Sequence, residues 1–359
     1  MQSQKKYKRI VIKIGSSLFC GKNKIDPLRS FEAISQISAL VSLEKKEIVI
    51  VSSGAIALGM NLLKLDFRPK ELPLLQAAAA IGQNALMDSY SKNFAKYKIR
   101  CAQVLLTWDD FDDRQRYLNA KNTLSTLMKL GVVPVINEND TISTEEIKFG
   151  DNDRLSAQVA SLINADLLII LSDVDGLLDK DKNVVSEVIE ITPQIRSLAC
   201  STNKKTCVGG MVTKIEAAKI AVDSGIPCVI ARGSKSKIIH SIINDPRNSG
   251  TLFLPKKGLK EKERWIAFGS KAKGKILVDD GAKKALIDKR SLLAVGVVSC
   301  EGNFSTGDIV CICDNKNIEF ARGKSAISAK ELDRAKGSRF SREIIHRDNI
   351  VILGDAPQG

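Results

Sequence analysis

From the start of the chain to about Gly233, short apolar runs rich in Val and Ile alternate with longer stretches whose apolar residues recur every three or four positions. The short runs predict strands at Arg9–Ile14, Glu47–Val51, Cys101–Leu106, Val132–Ile136, Leu167–Leu171 and Pro227–Ala231. The longer ones predict helices at Leu72–Tyr97, Arg114–Leu130, Arg154–Ile163 and Met211–Ser224. Several of the strands are apolar without alternation, as in parallel sheets covered on both faces. The expected fold is a three-layer α/β/α sandwich around a mainly parallel open sheet.

Past Pro255 the texture changes. Lys256–Lys275 is basic and interrupted by Gly258, Gly269 and Gly274. Strand-like runs follow at Ile276–Val278, Ala294–Val298, Ile309–Cys313 and Ile350–Leu353, with one helix over Asp279–Ile287. That is the pattern of a small β-rich domain. The expected division is 1–255 for the α/β domain, 256–273 for a basic linker, 274–353 for the β-rich domain and 354–359 for a tail. A length of 359 residues suits two domains.

Composition narrows the classes. With 44% hydrophobic and 27% charged residues the chain can bury a core in water, and 5% aromatics argues against an aromatic-rich sugar or single-strand surface. Half of the formal +14 lies in Lys256–Arg290, where 12 Lys/Arg face 5 Asp/Glu. Such a stripe suits either a polyanion or a solvated linker. The eight cysteines form no CxxC pair, and with only His240 and His346 beside them a zinc site is not expected. Reduced thiols in a cytoplasmic protein fit this usage. The first apolar run, Ile10–Ile12, is broken by Lys13, too short for a signal-peptide core, and no run approaches membrane-spanning length.

Two short matches are decoys. His346-Arg347-Asp348 copies a protein-kinase triplet, but Leu353 stands where that loop needs Asn. Asp179–Glu190 resembles a calcium loop, yet Val184 occupies the position that requires Gly, so Asp179–Asn183 reads as a hairpin tip. No Walker A or GxGxxG sequence occurs.

The informative motifs lie at strand ends and helix starts. Lys13 sits inside an apolar strand and needs an anionic partner, and the Gly15-Ser16-Ser17 turn after it offers N–H groups to phosphate. Ser52-Ser53-Gly54 links a strand to a helix, where open α/β sheets place ligands. Asn137-Glu138-Asn139-Asp140 and Asp151-Asn152-Asp153 exceed what turns and caps demand, and suit a polar substrate with an amino group plus magnesium or lysine organisation. Ser172-Asp173 ends another strand. Gly209-Gly210-Met211-Val212-Thr213-Lys214 opens a helix with a Lys in its first turns, a phosphate grip.

As a set, Lys13-Ile-Gly-Ser-Ser, Ser52-Ser-Gly-Ala-Ile-Ala, Val135-Ile-Asn-Glu-Asn-Asp140, Gly150-Asp-Asn-Asp153 and Gly209-Gly-Met-Val-Thr-Lys214 resemble the amino-acid kinase family. The two acidic runs at this spacing resemble its glutamate-phosphorylating branch, and Gly274–Leu353 resembles the PUA domain that many bacterial members carry, which implies a small β-rich barrel there. One departure stands out: Cys207-Val208 replaces the Gly-Thr usual before the Gly pair.

The resemblance implies transfer from ATP, with Mg2+, to the side-chain carboxylate of L-glutamate, the first step toward proline. It implies Lys13 and Lys214 at the transferring group, oriented by Asp153. Ser53, Asn137, Asp140 and Asn152 would hold glutamate, with Asp140 or Asp151 facing its ammonium. Gly15, Gly54, Gly209 and Gly210 would bring N–H groups to phosphates or carboxylates. Ser172, Asp173, Val208 and Met211–Thr213 would border the nucleotide. No dedicated protein cage for the metal is expected. Proline as feedback inhibitor, a homo-oligomer and weak RNA binding by the PUA-like domain complete the expectation. The rivals are a sister kinase acting on N-acetylglutamate, aspartate, carbamate or a nucleoside monophosphate, and an RNA-binding or RNA-modifying protein.

Overall fold

Parallel pairing demands strands buried on both faces, and the apolar runs supply them. The computed structural model describes residues 7–16, 27–142, 151–200, 210–255, 259–269, 271–338 and 342–353. The chain divides into two units, Met1–Asp110 with Arg114–Gly258, and Phe111–Asp113 with Leu259–Gly359.

The elements up to Phe253 run β1 (Arg9–Ile14), α1 (Pro27–Ser42), β2 (Glu47–Ser52), α2 (Ala55–Leu62), α3 (Leu72–Ala95), β3 (Arg100–Leu106), α4 (Asp109–Asp112), α5 (Arg114–Lys129) and β4 (Val132–Glu138). They continue with α6 (Asp151–Ile163), β5 (Leu167–Ser172), β6 (Glu187–Val188), α7 (Pro193–Cys200), α8 (Met211–Asp223), β7 (Cys228–Arg232), α9 (Ile238–Asn244) and β8 (Thr251–Phe253). Eight strands form one sheet in the order β3-β4-β2-β1-β5-β7-β8-β6. Every neighbouring pair is parallel except β7 and β8. β5 is buried along its whole length and β1 from Ile10 onward. Tyr90 and Phe94 of α3 pack with Ile12, Ile50 and Ile169 in one core. Each fully buried Ile or Leu contributes about 1.5–3 kcal/mol.

β1 lies between β2 and β5, and the strand order runs outward from it on both sides. The crevice for a ligand in such a sheet opens at the carboxyl ends of the strands beside that reversal. Several elements extend past their expected ends. β2 reaches Ser52, β4 reaches Glu138 and β5 reaches Ser172, while α6 begins at Asp151. The ladder carries the polar residues along because a neighbour is there to pair: Asn137 lies opposite Leu105 and Glu138 opposite Leu106.

The second unit contains α10 (Glu261–Arg264), β9 (Gly274–Val278), α11 (Asp280–Ile287), β10 (Val297–Gly302), β11 (Ile309–Cys313), β12 (Glu319–Lys324), α12 (Ala329–Ala335) and β13 (Ile350–Ile352). Its sheet order is β10-β9-β11-β12-β13, parallel only between β9 and β11. Ile276, Val278, Val310, Ile312, Phe320 and Leu332 belong to its core. No ladder between β10 and β13 closes the sheet among the described residues. Within the stretch read as a linker, α10 leads into a helical turn with Trp265, Ile266 and Ala267 buried.

Asp179–Asn183 is a hairpin tip: Asp179 Oδ1 accepts from the N–H groups of Asp181 and Asn183, and Leu178 bridges to Val184. His346 precedes a short exposed turn over Arg347–Asn349. No helix among the described residues is long and apolar enough to cross a membrane.

Candidate active site

A lysine buried in a central strand loses its hydration and must find a counter-charge. Lys13, near the end of β1, is 6% exposed. Asp153, third residue of α6 and 1% exposed, supplies the charge, with Oδ1 2.7 Å from Lys13 Nζ. Lys214 of α8 approaches from another element and donates to Asp153 Oδ2 at 3.1 Å. Thr213 Oγ1 lies 3.0 Å from both Asp153 Oδ2 and the Gly210 carbonyl oxygen. One carboxylate thus holds two ammonium groups and a hydroxyl.

The electrostatics follow from that count. Burial pushes the Lys13 ammonium below the ordinary lysine value; Asp153 opposes the shift and Lys214 adds to it. Burial pushes the Asp153 carboxyl up, but the charges and hydrogen bonds of Lys13 and Lys214 outweigh it and hold the group below the ordinary aspartate value. Two buried cations against one buried anion leave a local excess of positive charge, which an incoming anion can neutralise.

Beside it, α8 begins at Met211 after Gly210, with no side-chain cap among the described residues. Free N–H groups and the positive end of a helix dipole favour phosphate there. A Cβ on Gly210 would meet nothing within 4 Å, so its backbone is open to approach. Met211, Val212 and Thr213 are half-buried in the first turn. Val208 and Gly209 lie outside the described residues. At the end of β5, Ser172 Oγ donates to Asp173 Oδ1 at 3.0 Å, and Asp173 supports the charge on Lys13. Gly15 N–H donates to the Leu171 carbonyl oxygen.

A second group of polar side chains gathers where β2 and β4 end. Asn152 Nδ2 lies 3.0 Å from Ser53 Oγ and 3.0 Å from Asn137 Oδ1. Ser53 N–H donates to the Ile14 carbonyl oxygen, which ties the start of α2 to β1. Gly54, at φ 109°, turns the chain into α2 through the left-handed region that glycine adopts at no steric cost. Asn152 Oδ1 is buried and has no hydrogen-bond partner among the described residues. An orphaned acceptor of this kind fits an ammonium or amide donor on a ligand. Asp140 is half-buried just after β4, and its charge is felt by Arg68. The Asp151 side chain lies outside the described residues.

Sequence patterns did not mark Gln83 or Tyr90 of α3. Gln83 Oε1 accepts from Asn137 Nδ2 at 2.9 Å, and Tyr90 donates to Ser52 Oγ at 3.0 Å. They lie seven positions apart, about two turns, on the buried face of α3, and that spacing was the available signal.

Residues 8–232 match the model of the amino acid kinase family, and residues 274–347 match that of the PUA domain. A glutamate 5-kinase of Thermoanaerobacter sp. (strain X514) is 44% identical over 96% of this chain and 98% of its own. One from Carboxydothermus hydrogenoformans is 45% identical over 97% of this chain and 98% of its own. With a family model over residues 8–232 and similarity of this kind over nearly the full length, the chain belongs to the amino acid kinase family.

Proposed function

We propose that this chain transfers the γ-phosphoryl group of ATP to the side-chain carboxylate of L-glutamate, giving L-glutamyl 5-phosphate and ADP, the first step toward proline. The observation that carries the reading is the Lys13–Asp153–Lys214 cluster beside the Ser53–Asn152–Asn137 group. A glutamate side chain is already ionised at neutral pH, so the acceptor needs no general base. The barrier lies in bringing an anion against a polyanion, and positive charge with positioning lowers it.

In this reading Lys13 and Lys214 stabilise the charge of the transferring group from two sides, while Asp153 aims both. Gly15, Gly210 and the start of α8 receive phosphate oxygens, and Ser172, Asp173, Val208, Gly209 and Met211–Thr213 border the nucleotide. Ser53, Gly54, Asn137 and Asn152 hold glutamate, and Asp140 or Asp151 faces its ammonium. Among the described residues no group of three His, Cys, Asp or Glu could hold a metal ion. Mg2+ would sit on phosphate oxygens and water, where it would neutralise phosphate charge.

The domain limits 1–255, 256–273, 274–353 and 354–359 are retained, with catalysis in the first. The reading also includes proline as feedback inhibitor, a homo-oligomer, a cytoplasmic location, and weak, salt-sensitive RNA binding by the second unit. One assay tests the core of it. ADP release should require L-glutamate, should not be supported by N-acetylglutamate, aspartate, carbamate or UMP, and should fall with millimolar proline. Release with another acceptor and none with glutamate would replace the reading; indifference to proline would remove only the regulation.

A further inference from the structure

The polar groups around Asn152 form a chain of amides with a single direction. Gln103 of β3 accepts from Gln83 Nε2 at 3.1 Å, and Gln83 Oε1 accepts from Asn137 Nδ2 at 2.9 Å. Asn137 Oδ1 then accepts from Asn152 Nδ2 at 3.0 Å and from the Glu138 N–H at 2.9 Å. Asn152 Nδ2 is also 3.0 Å from Ser53 Oγ. With its nitrogen engaged, Asn152 turns its oxygen to the remaining side, buried and unmatched among the described residues.

An amide is nearly symmetric in shape, so packing alone does not decide which end points where; the hydrogen-bond partner does. Gln83 is 9% exposed and anchored deep. It follows Gly82, where an added Cβ would stand 1.7 Å from the Ala55 carbonyl oxygen, so α2 and α3 touch backbone to backbone. That close approach fixes the distance from Gln83 to the strand ends. Seven residues on, Tyr90 holds Ser52 from the same helix.

We propose that Gln83 is a positioning residue that selects substrates with a free α-ammonium group. By accepting from Asn137 Nδ2 it sets the polarity of the amide chain, so that Asn152 presents an acceptor rather than a donor to the substrate. The Glu138 N–H favours the same orientation of Asn137 but leaves its nitrogen without a partner once Gln83 is removed. A buried unpaired N–H then drives the carboxamide to turn or shift. The proposal rests on the glutamate reading above.

The test compares the full-length wild type with Gln83→Leu and Gln83→Glu. Gln83→Leu should raise the glutamate KM by about tenfold, the cost of one buried unpaired group, with kcat and the ATP KM little changed. The inhibition constant of glutarate, which has both carboxylates and no amino group, should stay near the wild-type value. Gln83→Glu, which still accepts from Asn137 while the exposed Gln103 amide turns to donate, should restore most of the affinity. An unchanged glutamate KM in Gln83→Leu overturns the proposal. So does a parallel loss in kcat, ATP KM and glutarate binding, which is what a merely structural role produces. Should Gln83→Leu fail to fold, Gln103→Leu loosens the same chain from its outer end and should shift the glutamate KM in the same direction; no shift there is equally fatal. A wild-type chain that releases no ADP with glutamate would instead mark failure of the functional reading itself.

Discussion

Asp153 Oδ1 stands 2.7 Å from Lys13 Nζ in a site where both side chains are almost wholly withdrawn from water. The second carboxylate oxygen is engaged by Lys214, so the aspartate locks a strand end to a helix start. A buried pair of this kind gives little net stability, because desolvation offsets the attraction. Its value lies in holding an excess of positive charge without solvent reorganisation.

Lys13→Ala and Lys214→Ala should each depress turnover by at least about a hundredfold, since each supplies charge stabilisation at the transferring group. Glutamate binding should change much less. Steady-state kinetics decide it, and near-wild-type turnover in either variant would remove that lysine from the chemistry.

Asp153→Asn leaves two buried ammonium groups against a neutral amide and should destabilise the fold by about 3–5 kcal/mol at neutral pH. The Asp153 pKa is held below its ordinary value, so its contribution is complete above the unfolded pKa and is lost as pH falls through the folded one. The gap between wild type and variant in urea midpoints should therefore hold from neutral pH to about pH 5 and shrink progressively as pH falls below the ordinary aspartate value of 3.8. A gap that widens on acidification contradicts the sign.

Burial depresses the Lys13 pKa, and above its folded value the side chain is neutral and useless to a polyanion. The kcat/KM for ATP, which reports the free enzyme, should fall on the alkaline side at a pH below the ordinary lysine value of 10.5. A profile flat to that pH argues against a depressed lysine at the nucleotide.

Asp140→Ala and Asn152→Ala should raise the glutamate KM strongly with the ATP KM nearly fixed, because both are assigned to ground-state substrate contacts. If only the ATP KM moves, glutamate binds elsewhere.

A chain ending near Leu254 should fold and phosphorylate glutamate, since every strand-end motif assigned to chemistry lies before Thr251. A truncated protein that is folded and inactive would show that the second unit completes the site.

The strands of the first unit were legible because a parallel sheet requires uninterrupted apolar runs. β1 matches its expected limits, and β2, β4 and β5 differ by one or two residues at their ends. In the second unit Ala294–Val298 was expected as a strand, whereas β10 covers Val297–Gly302 and Ala294–Gly296 is a short helical turn. The cause is position. β10 is an edge strand, so Ser299–Glu301 pair on one side only; Glu301 is exposed and Ser299 half-buried, and apolarity does not mark them. β12, with Glu319, Arg322 and Gly323, carries no apolar run and owes its place to β11 and β13 on either side.

Sequence by itself determined the class of fold, the family, and the lysines, acids and amides gathered at strand ends. Periodicity records which faces are buried, and a lysine inside an apolar strand records that a counter-charge must exist. The family resemblance pointed to Asp153 beside both lysines; only the tertiary structure set one of its oxygens 2.7 Å from Lys13 Nζ and the other 3.1 Å from Lys214 Nζ, and only it decided that Gln83 meets Asn137 across 54 positions. Partner choice depends on which strands lie side by side and how closely α2 and α3 approach, and no local pattern encodes either. Burial is written along the chain, whereas hydrogen-bond direction between distant amides is settled only when folding brings donor and acceptor together.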